Sequence, residues 1–435
     1  MYTQSSPFGF ANEGEDDAFC PFLLYVGVAP DSLAYKAAVA AAVAVKAVLA
    51  RSGLPEVEVA FVEMANKRST GGPKLLSLNP VLDDVPGFRQ PFSAALGLPI
   101  APRETPYYEG TGGLYLRLGS DPGDARVTLL TCAHVVRPPP AFPANTGMSY
   151  TNPSQPKEYV VALGSGSYDK ANAQLAMIPP NHPRRAETTA EVDKATRRIN
   201  ALNDLHTEVT KYRATKALRT VGWSLHSSPI RVGVEPLGYT EDWGLIQLDL
   251  KQIDMDTFPG NKIFVGGRYT LGQFAEAMFP NLEDQATYAY PADSLLQAYG
   301  AVPAAKISNP PHLDVNVQRC MMVVKHGAAT ETRFGRANGL ESVKRSYLGH
   351  GIVKHDSLEI VVLPYGKGHP KFSDSGDSGS IVVTREGEIL GLLTGGAGPI
   401  DETDITWLTP FWWLQEQIKR EFPGAFLYPV VGNRV

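Results

Sequence analysis

Gly376-Asp377-Ser378-Gly379-Ser380 lies between the polar loop Lys371 to Ser375 and the apolar strand pattern Ile381-Val382-Val383. Glycines on both sides of the serine relieve the backbone of Cβ clashes, so the stretch reads as a serine nucleophile on a strained turn. The N–H groups of Gly376 and Ser378 can then point together at one developing oxyanion. The same residues also read as an Asp-Ser-Gly surface turn, and only context separates the two readings.

Two upstream stretches supply that context. Val127 to Val136 is an apolar, β-branched run that carries His134 just before Arg137-Pro138-Pro139-Pro140, where no strand can continue. That places an imidazole at a strand end, although a lone histidine there is more often a packed core residue than a base. Asp242 stands immediately before the strand pattern Gly244-Leu245-Ile246-Gln247-Leu248, and alone it reads as a turn residue.

In that chain order, His134, Asp242 and Ser378 resemble the trypsin/chymotrypsin-like serine peptidases, with their Thr-Ala-Ala-His, Asp-hydrophobic-Ala-Leu and Gly-Asp-Ser-Gly motifs. Ile389 to Gly396 resembles the strand that lines the family's substrate cleft. Val323 to Gly327 with Thr330, Thr332 and Gly335 resembles the strand pair before the nucleophile in bacterial members. Thr406 to Thr409, followed by Pro410 to Glu421, resembles the family's last strand and C-terminal helix. The resemblance implies a mainly β fold, a chymotrypsin-like double β-barrel with helical insertions.

Composition narrows the partners. The chain has 435 residues, 43% of them hydrophobic and 20% charged, which is more than one ordinary domain. A net charge of −5 from 40 basic and 45 acidic side chains, without a basic run, argues against nucleic acid and against an anionic membrane surface. Met1 to Phe19 has no basic n-region and includes Glu13, Glu15, Asp16 and Asp17, so no secretory signal is read and a cytoplasmic location is expected. The apolar segment Ala37 to Val45 is too short to span a bilayer. Only Cys20, Cys132 and Cys320 occur, and Val135 follows His134 where many secreted relatives have a half-cystine, which suits a reducing compartment. Neither a cofactor nor a metal is implied.

Residues 1–104 read as an N-terminal β-α-β unit and connector, and 105–435 as the peptidase-like domain. The strand patterns are Cys20 to Val28 and Glu56 to Met64, with a helix from Asp31, its N-cap, to Ser52 and a stop at Gly53. Gly27-Val28-Ala29-Pro30 offers no phosphate loop, so a nucleotide role is not read. Ser69 to Pro106 is rich in glycine and proline and reads as an extended connector. Gly110 to Leu118 resembles the family's glycine-led first strand. Insertions are expected at about 150–220 and 251–311. In the first, Val192, Ala195, Ile199, Leu202 and Val209 recur at helical spacing, as a helix packed outside a barrel or a regulatory coiled coil. The second holds the helical pattern Leu271 to Met278.

The chemistry expected of this set is peptide hydrolysis through an acyl-enzyme. His134 would accept the Ser378 proton, and Asp242 would orient the imidazole. The resemblance places Thr394 where the family has a serine that hydrogen-bonds the aspartate. It puts the substrate pocket's floor near Phe372 and its wall near Gly395 and Gly396, an uncharged pocket with Asp374 as the nearest carboxylate. Phe372 reads equally as a core residue. No N-terminal Ile-Val-Gly-Gly precedes Gly110-Thr111-Gly112-Gly113, so Asp377 needs an internal partner, either backbone N–H groups or a basic side chain. A silent trypsin-like scaffold that binds proteins is the alternative function. The β-α-β unit ahead of a triad domain also resembles trypsin-like proteins of filamentous fungi.

Overall fold

Cys20–Val28 and Glu58–Glu63 pair in parallel, Leu23 opposite Glu58 and Val28 opposite Glu63, with the helix Tyr35–Arg51 in the crossover. The computed structural model describes residues 2–10, 20–28, 33–63, 73–119, 124–176, 189–267, 269–281, 284–285, 288, 290–314, 316–345, 356–366, 369–398 and 405–431. Alanine-rich sequence costs little side-chain entropy and favours the helix. It ends as predicted at Gly53, whose φ of 81° suits glycine, while the Leu54 N–H donates to the Leu49 carbonyl. Its start lies behind Ala34, without a side-chain cap, and Asp31, the expected cap, is outside the described residues. A third strand that the sequence reading missed, Tyr2–Phe10, runs antiparallel to Cys20–Val28. These elements form a unit of their own, Met1–Gly71.

The second unit is Gly72–Val435, so the boundary falls well before the expected 104/105. Much of the stretch read as connector is packed: Leu75, Leu76, Leu78, Phe92, Leu96 and Ile100 are buried. Leu98–Pro102 pairs with Gly110–Gly112 and Tyr159–Ala162. Glycine and proline break regular periodicity, yet an extended chain with apolar side chains can still line a barrel.

Two barrels follow. In the first, Leu114–Arg117, Thr128–Thr131, Gly244–Leu248, Thr220–Ser227, Tyr159–Ala162 and Leu98–Pro102 pair in that order, all antiparallel. Segment 110–117, interrupted at Gly113, pairs at its start with Leu98–Pro102 and at its end with Thr128–Thr131. In the second, Asp356–Pro364, Glu331–Ala337, Arg319–Gly327, Ile381–Thr384 and Glu388–Ala397 pair in sequence, again antiparallel. Ile405–Pro410 bonds to both Glu388–Ala397 and Asp356–Pro364 and closes that ring. The fold is mainly β, a chymotrypsin-like double β-barrel with helical insertions, as the sequence predicts.

The helical insertions pack on this frame. Thr189–Tyr212 buries Leu202, Leu205 and Val209, which join the main hydrophobic core, whereas Ala195 is exposed. The side chain of Val192 lies outside the described residues. Leu271–Met278 has the predicted bounds, because Thr270 and Gln273 form a capping box and Phe274, Ala277 and Met278 face inward. The last helix, Phe411–Glu421, buries Phe411, Trp413, Leu414 and Ile418, each worth about 1.5–3 kcal/mol of transfer. Beyond it Phe426–Leu427 returns to the first barrel beside Leu114–Arg117, a pairing absent from the sequence reading.

Candidate active site

The strand Thr128–Thr131 ends at Cys132, and the chain then makes one helical turn, Ala133–Val136, that presents His134. Proline at 138, 139 and 140 prevents any continuation. Asp242 sits between the strands Tyr239–Glu241 and Gly244–Leu248. Its carboxylate accepts from the His134 imidazole, Nδ1 to Oδ2 at 2.5 Å, and from the His134 backbone N–H at 3.1 Å. Asp242 is 7% exposed and His134 is 28% exposed, so the imidazole is partly accessible to solvent while its carboxylate partner is buried. Burial pushes the imidazole's pKa down, but the Asp242 charge and hydrogen bond outweigh it and leave the group above its ordinary value. Burial likewise raises Asp242, and His134 brings it below the usual carboxylate range.

Ser378 follows Gly376, whose φ is 101°, and precedes Gly379, whose φ is 91°. A Cβ at Gly379 would stand 2.2 Å from the Thr111 carbonyl oxygen, so only glycine fits there. The Asp377 N–H turns back to the Asp374 carbonyl, and the Gly379 N–H to Leu393. Neither the Gly376 nor the Ser378 N–H has an acceptor among the described residues. No hydrogen bond joins Ser378 Oγ to His134 Nε2 in this structure.

Thr111 ties this turn to the first barrel, a role that sequence reading missed. Its N–H donates to the Ser378 carbonyl at 2.8 Å, and its hydroxyl donates to the Gly376 carbonyl at 2.8 Å. The Ala328 N–H donates to the same hydroxyl, and the Thr131 hydroxyl donates to the Thr111 carbonyl.

Asp377 has the internal partner its burial demands. Lys325 Nζ lies 2.8 Å from Asp377 Oδ2, and both side chains are fully buried. The Thr330 hydroxyl and the N–H groups of Ala329, Thr330 and Asp374 donate to the same carboxylate. Burial raises the Asp377 pKa, but the Lys325 charge and hydrogen bond, with Thr330, hold it below the ordinary value. The lysine was visible in the sequence only as a residue of a strand pattern.

The expected pocket residues divide. Gly395 and Gly396 lie on the accessible end of Glu388–Ala397, opposite Trp407 and Thr406. Phe372 is corrected: its ring is wholly buried in the second barrel's core with Val323, Val362 and Val382, because Gly335 leaves room for it there. Thr394 is also corrected, since its hydroxyl has no hydrogen-bond partner and does not reach Asp242. The exposed Asp374 pairs with Lys371 at 2.8 Å. Near the expected wall, Ser373 Oγ and Thr406 Oγ1 are 2.6 Å apart, and a Cβ on Gly396 would touch the former.

A cleft of about 640 Å³ opens beside the histidine, lined by His134, Ser375, Gly376 and Ala329, and by Gly166 and Lys170 of the first insertion. Glu109 fastens that insertion to the cleft by accepting from the N–H groups of Gly166 and Ser167. Cys132, His134 and Asp242 place potential metal-ligand atoms within 4.8 Å of one another. The Cys132 thiol instead donates to the Leu393 carbonyl, and burial, followed by the Asp242 charge, pushes its pKa up and away from thiolate.

No protein-family model and no curated protein matches the sequence. Among solved structures, the chain is similar to Thermobifida fusca Protease A at 13% identity and a TM-score of 0.35, over 78% of this chain and 99% of that one. It is similar to Nocardiopsis Protease at 9% identity and a TM-score of 0.36, over 77% and 99%. A third is a glutamic acid specific serine protease that uses a histidine triad in substrate binding, at 10% identity, a TM-score of 0.34, and coverage of 77% and 100%. All three are trypsin/chymotrypsin-like serine proteases.

Proposed function

We propose that the protein is a serine endopeptidase in which Ser378 is the nucleophile, His134 the general base and Asp242 the residue that orients the imidazole. The observation that carries this reading is the His134–Asp242 pair, bonded at Nδ1 so that Nε2 is left to accept a proton. Ser378 Oγ attacks the scissile carbonyl, its proton passes to Nε2, and the N–H groups of Gly376 and Ser378 receive the oxyanion. His134 then protonates the leaving amine, and water hydrolyses the acyl-enzyme by the same route. Hydrogen bonds between nucleophile and base are often long without substrate and tighten when it binds.

Two further parts of the reading concern substrate and activation. The neutral hydroxyls of Ser373 and Thr406 beside Gly396 favour an uncharged residue before the scissile bond. Lys325 supplies the positive charge for Asp377 from within the chain, so no newly cut terminus is required. The second reading, a silent scaffold, draws on the missing Ser378–His134 hydrogen bond. Fluorophosphonate labelling with intact-mass measurement of the uncut chain separates the two. One adduct on the wild type and none on Ser378→Ala is expected. An unlabelled wild type, or a labelled Ser378→Ala, would reject the peptidase.

A further inference from the structure

Between the insertion helix Leu271–Met278 and the strand Glu331–Ala337 is a cavity of about 290 Å³, separate from the cleft at His134. Tyr269, Phe334 and Tyr365 form aromatic walls, with Glu276, His369 and Arg333 among the polar residues that line it. Arg333 is 9% exposed, and its Nε and Nη1 are buried without a hydrogen bond. Among the described residues it has no ion pair, although Glu276 shares the cavity.

The rest of the fold treats its buried guanidinium groups differently. Arg219 donates to the carbonyls of Leu163, Arg213 and Ala214, and Arg213 pairs with Glu208 and donates to the Lys74 carbonyl. An enclosed cation with no acceptor is costly, and a guanidinium presents a planar fork that a carboxylate matches with two parallel bonds.

We propose that this cavity is a binding site for a small monocarboxylate with a flat aromatic body, the carboxylate on Arg333 and the ring among Tyr269, Phe334 and Tyr365. The volume is at the lower end of small-molecule pockets, which fits a single-ring acid and leaves no room for a folded macromolecule. Glu276, on the helix that lines the cavity, disfavours a second negative charge on the ligand. The site owes nothing to the triad assignment. Its residues His369 and Pro370 nonetheless lead directly in sequence into the stretch from Phe372 to Ser378, so an occupant would touch the segment that precedes the nucleophile turn.

Phenylacetate, phenylacetamide and inorganic phosphate, titrated calorimetrically into the full chain, test the proposal. Saturable binding of phenylacetate is expected, with the amide and phosphate each at least tenfold weaker. Arg333→Met should weaken phenylacetate at least tenfold and, because it removes an unpaired buried charge, melt no lower than wild type in the absence of ligand. Glu276→Gln should tighten phenylacetate several-fold. Phosphate binding as well as phenylacetate, retained binding in Arg333→Met, or no phenylacetate binding to the wild type would each overturn the assignment. So would a matching loss of melting temperature in Arg333→Met and Glu276→Gln, which would mark an internal Arg–Glu pair.

Discussion

Replacing Lys325 by methionine tests what holds the nucleophile turn. The ammonium is fully buried 2.8 Å from Asp377, and methionine fills similar space without charge. Asp377 keeps its bonds from Thr330, Ala329 and Asp374 but loses its counter-charge. Removing one member of a buried pair costs about 3–5 kcal/mol, a large share of a typical total stability of about 5–15 kcal/mol. With about 2.1 cal/mol/K of unfolding entropy per residue, a unit spanning Gly72–Val435 should melt roughly 4–7 °C lower. The pH dependence should change sign. In the wild type, the lowered Asp377 pKa gives stability that is present above the unfolded value of about 3.9 and is lost as pH falls through the folded value. In Lys325→Met, burial is opposed only by the remaining hydrogen bonds, without a counter-charge, and is expected to raise that pKa, so stability is greatest in acid and declines as pH rises through the raised value. Calorimetric melting at about pH 5 and about pH 8, with Lys325→Met/Asp377→Asn as the neutral double variant, reads this directly. The double variant should recover most of the loss at pH 8. If Lys325→Met melts with the wild type at pH 8, or if the double variant is no better than the single, the pair does not hold the turn.

The remaining predictions concern the reaction. Asp242→Asn should lower kcat by about four orders of magnitude with little change in KM, measured on a peptide ester, because the imidazole loses its tautomer as well as its partner. The base works when neutral, so the acidic limb of kcat/KM should lie above the ordinary histidine pKa. The charge of Lys344 pulls His134 down, so Lys344→Ala should move that limb to still higher pH; an unmoved or lowered limb would exclude the electrostatic link. Peptide-library cleavage should favour neutral residues over arginine or lysine before the scissile bond, and a basic preference would place a carboxylate in the pocket after all.

The sequence was most legible where chemistry imposes a local pattern. Gly376 to Ser380, the proline stop after His134, and the helical pattern Leu271 to Met278 each act over a few residues, and each has its expected conformation. Roles that depend on distant neighbours were hidden. Lys325 in a β-branched strand looks like any polar interruption until Asp377 lies beside it. Phe372 could have been pocket or core, and the space above Gly335 decided for the core. Residues 73–104 misled because glycine and proline signal irregular backbone, which says nothing of burial. Tyr2–Phe10 and Phe426–Leu427 are strands chiefly by virtue of their partners, Cys20–Val28 and Leu114–Arg117.

Thr111 makes the shape of the turn at Ser378 depend on both barrels. Its N–H and hydroxyl hold the carbonyls of Ser378 and Gly376 across the gap between the barrels, so the reactive turn is braced by a residue encoded more than half a chain earlier. A chain with only its first barrel formed has a histidine and no nucleophile, and a second barrel formed alone has a serine on an unbraced loop. On the proposed reading, hydrolysis would therefore require both barrels and the Thr111 contacts between them to be in place.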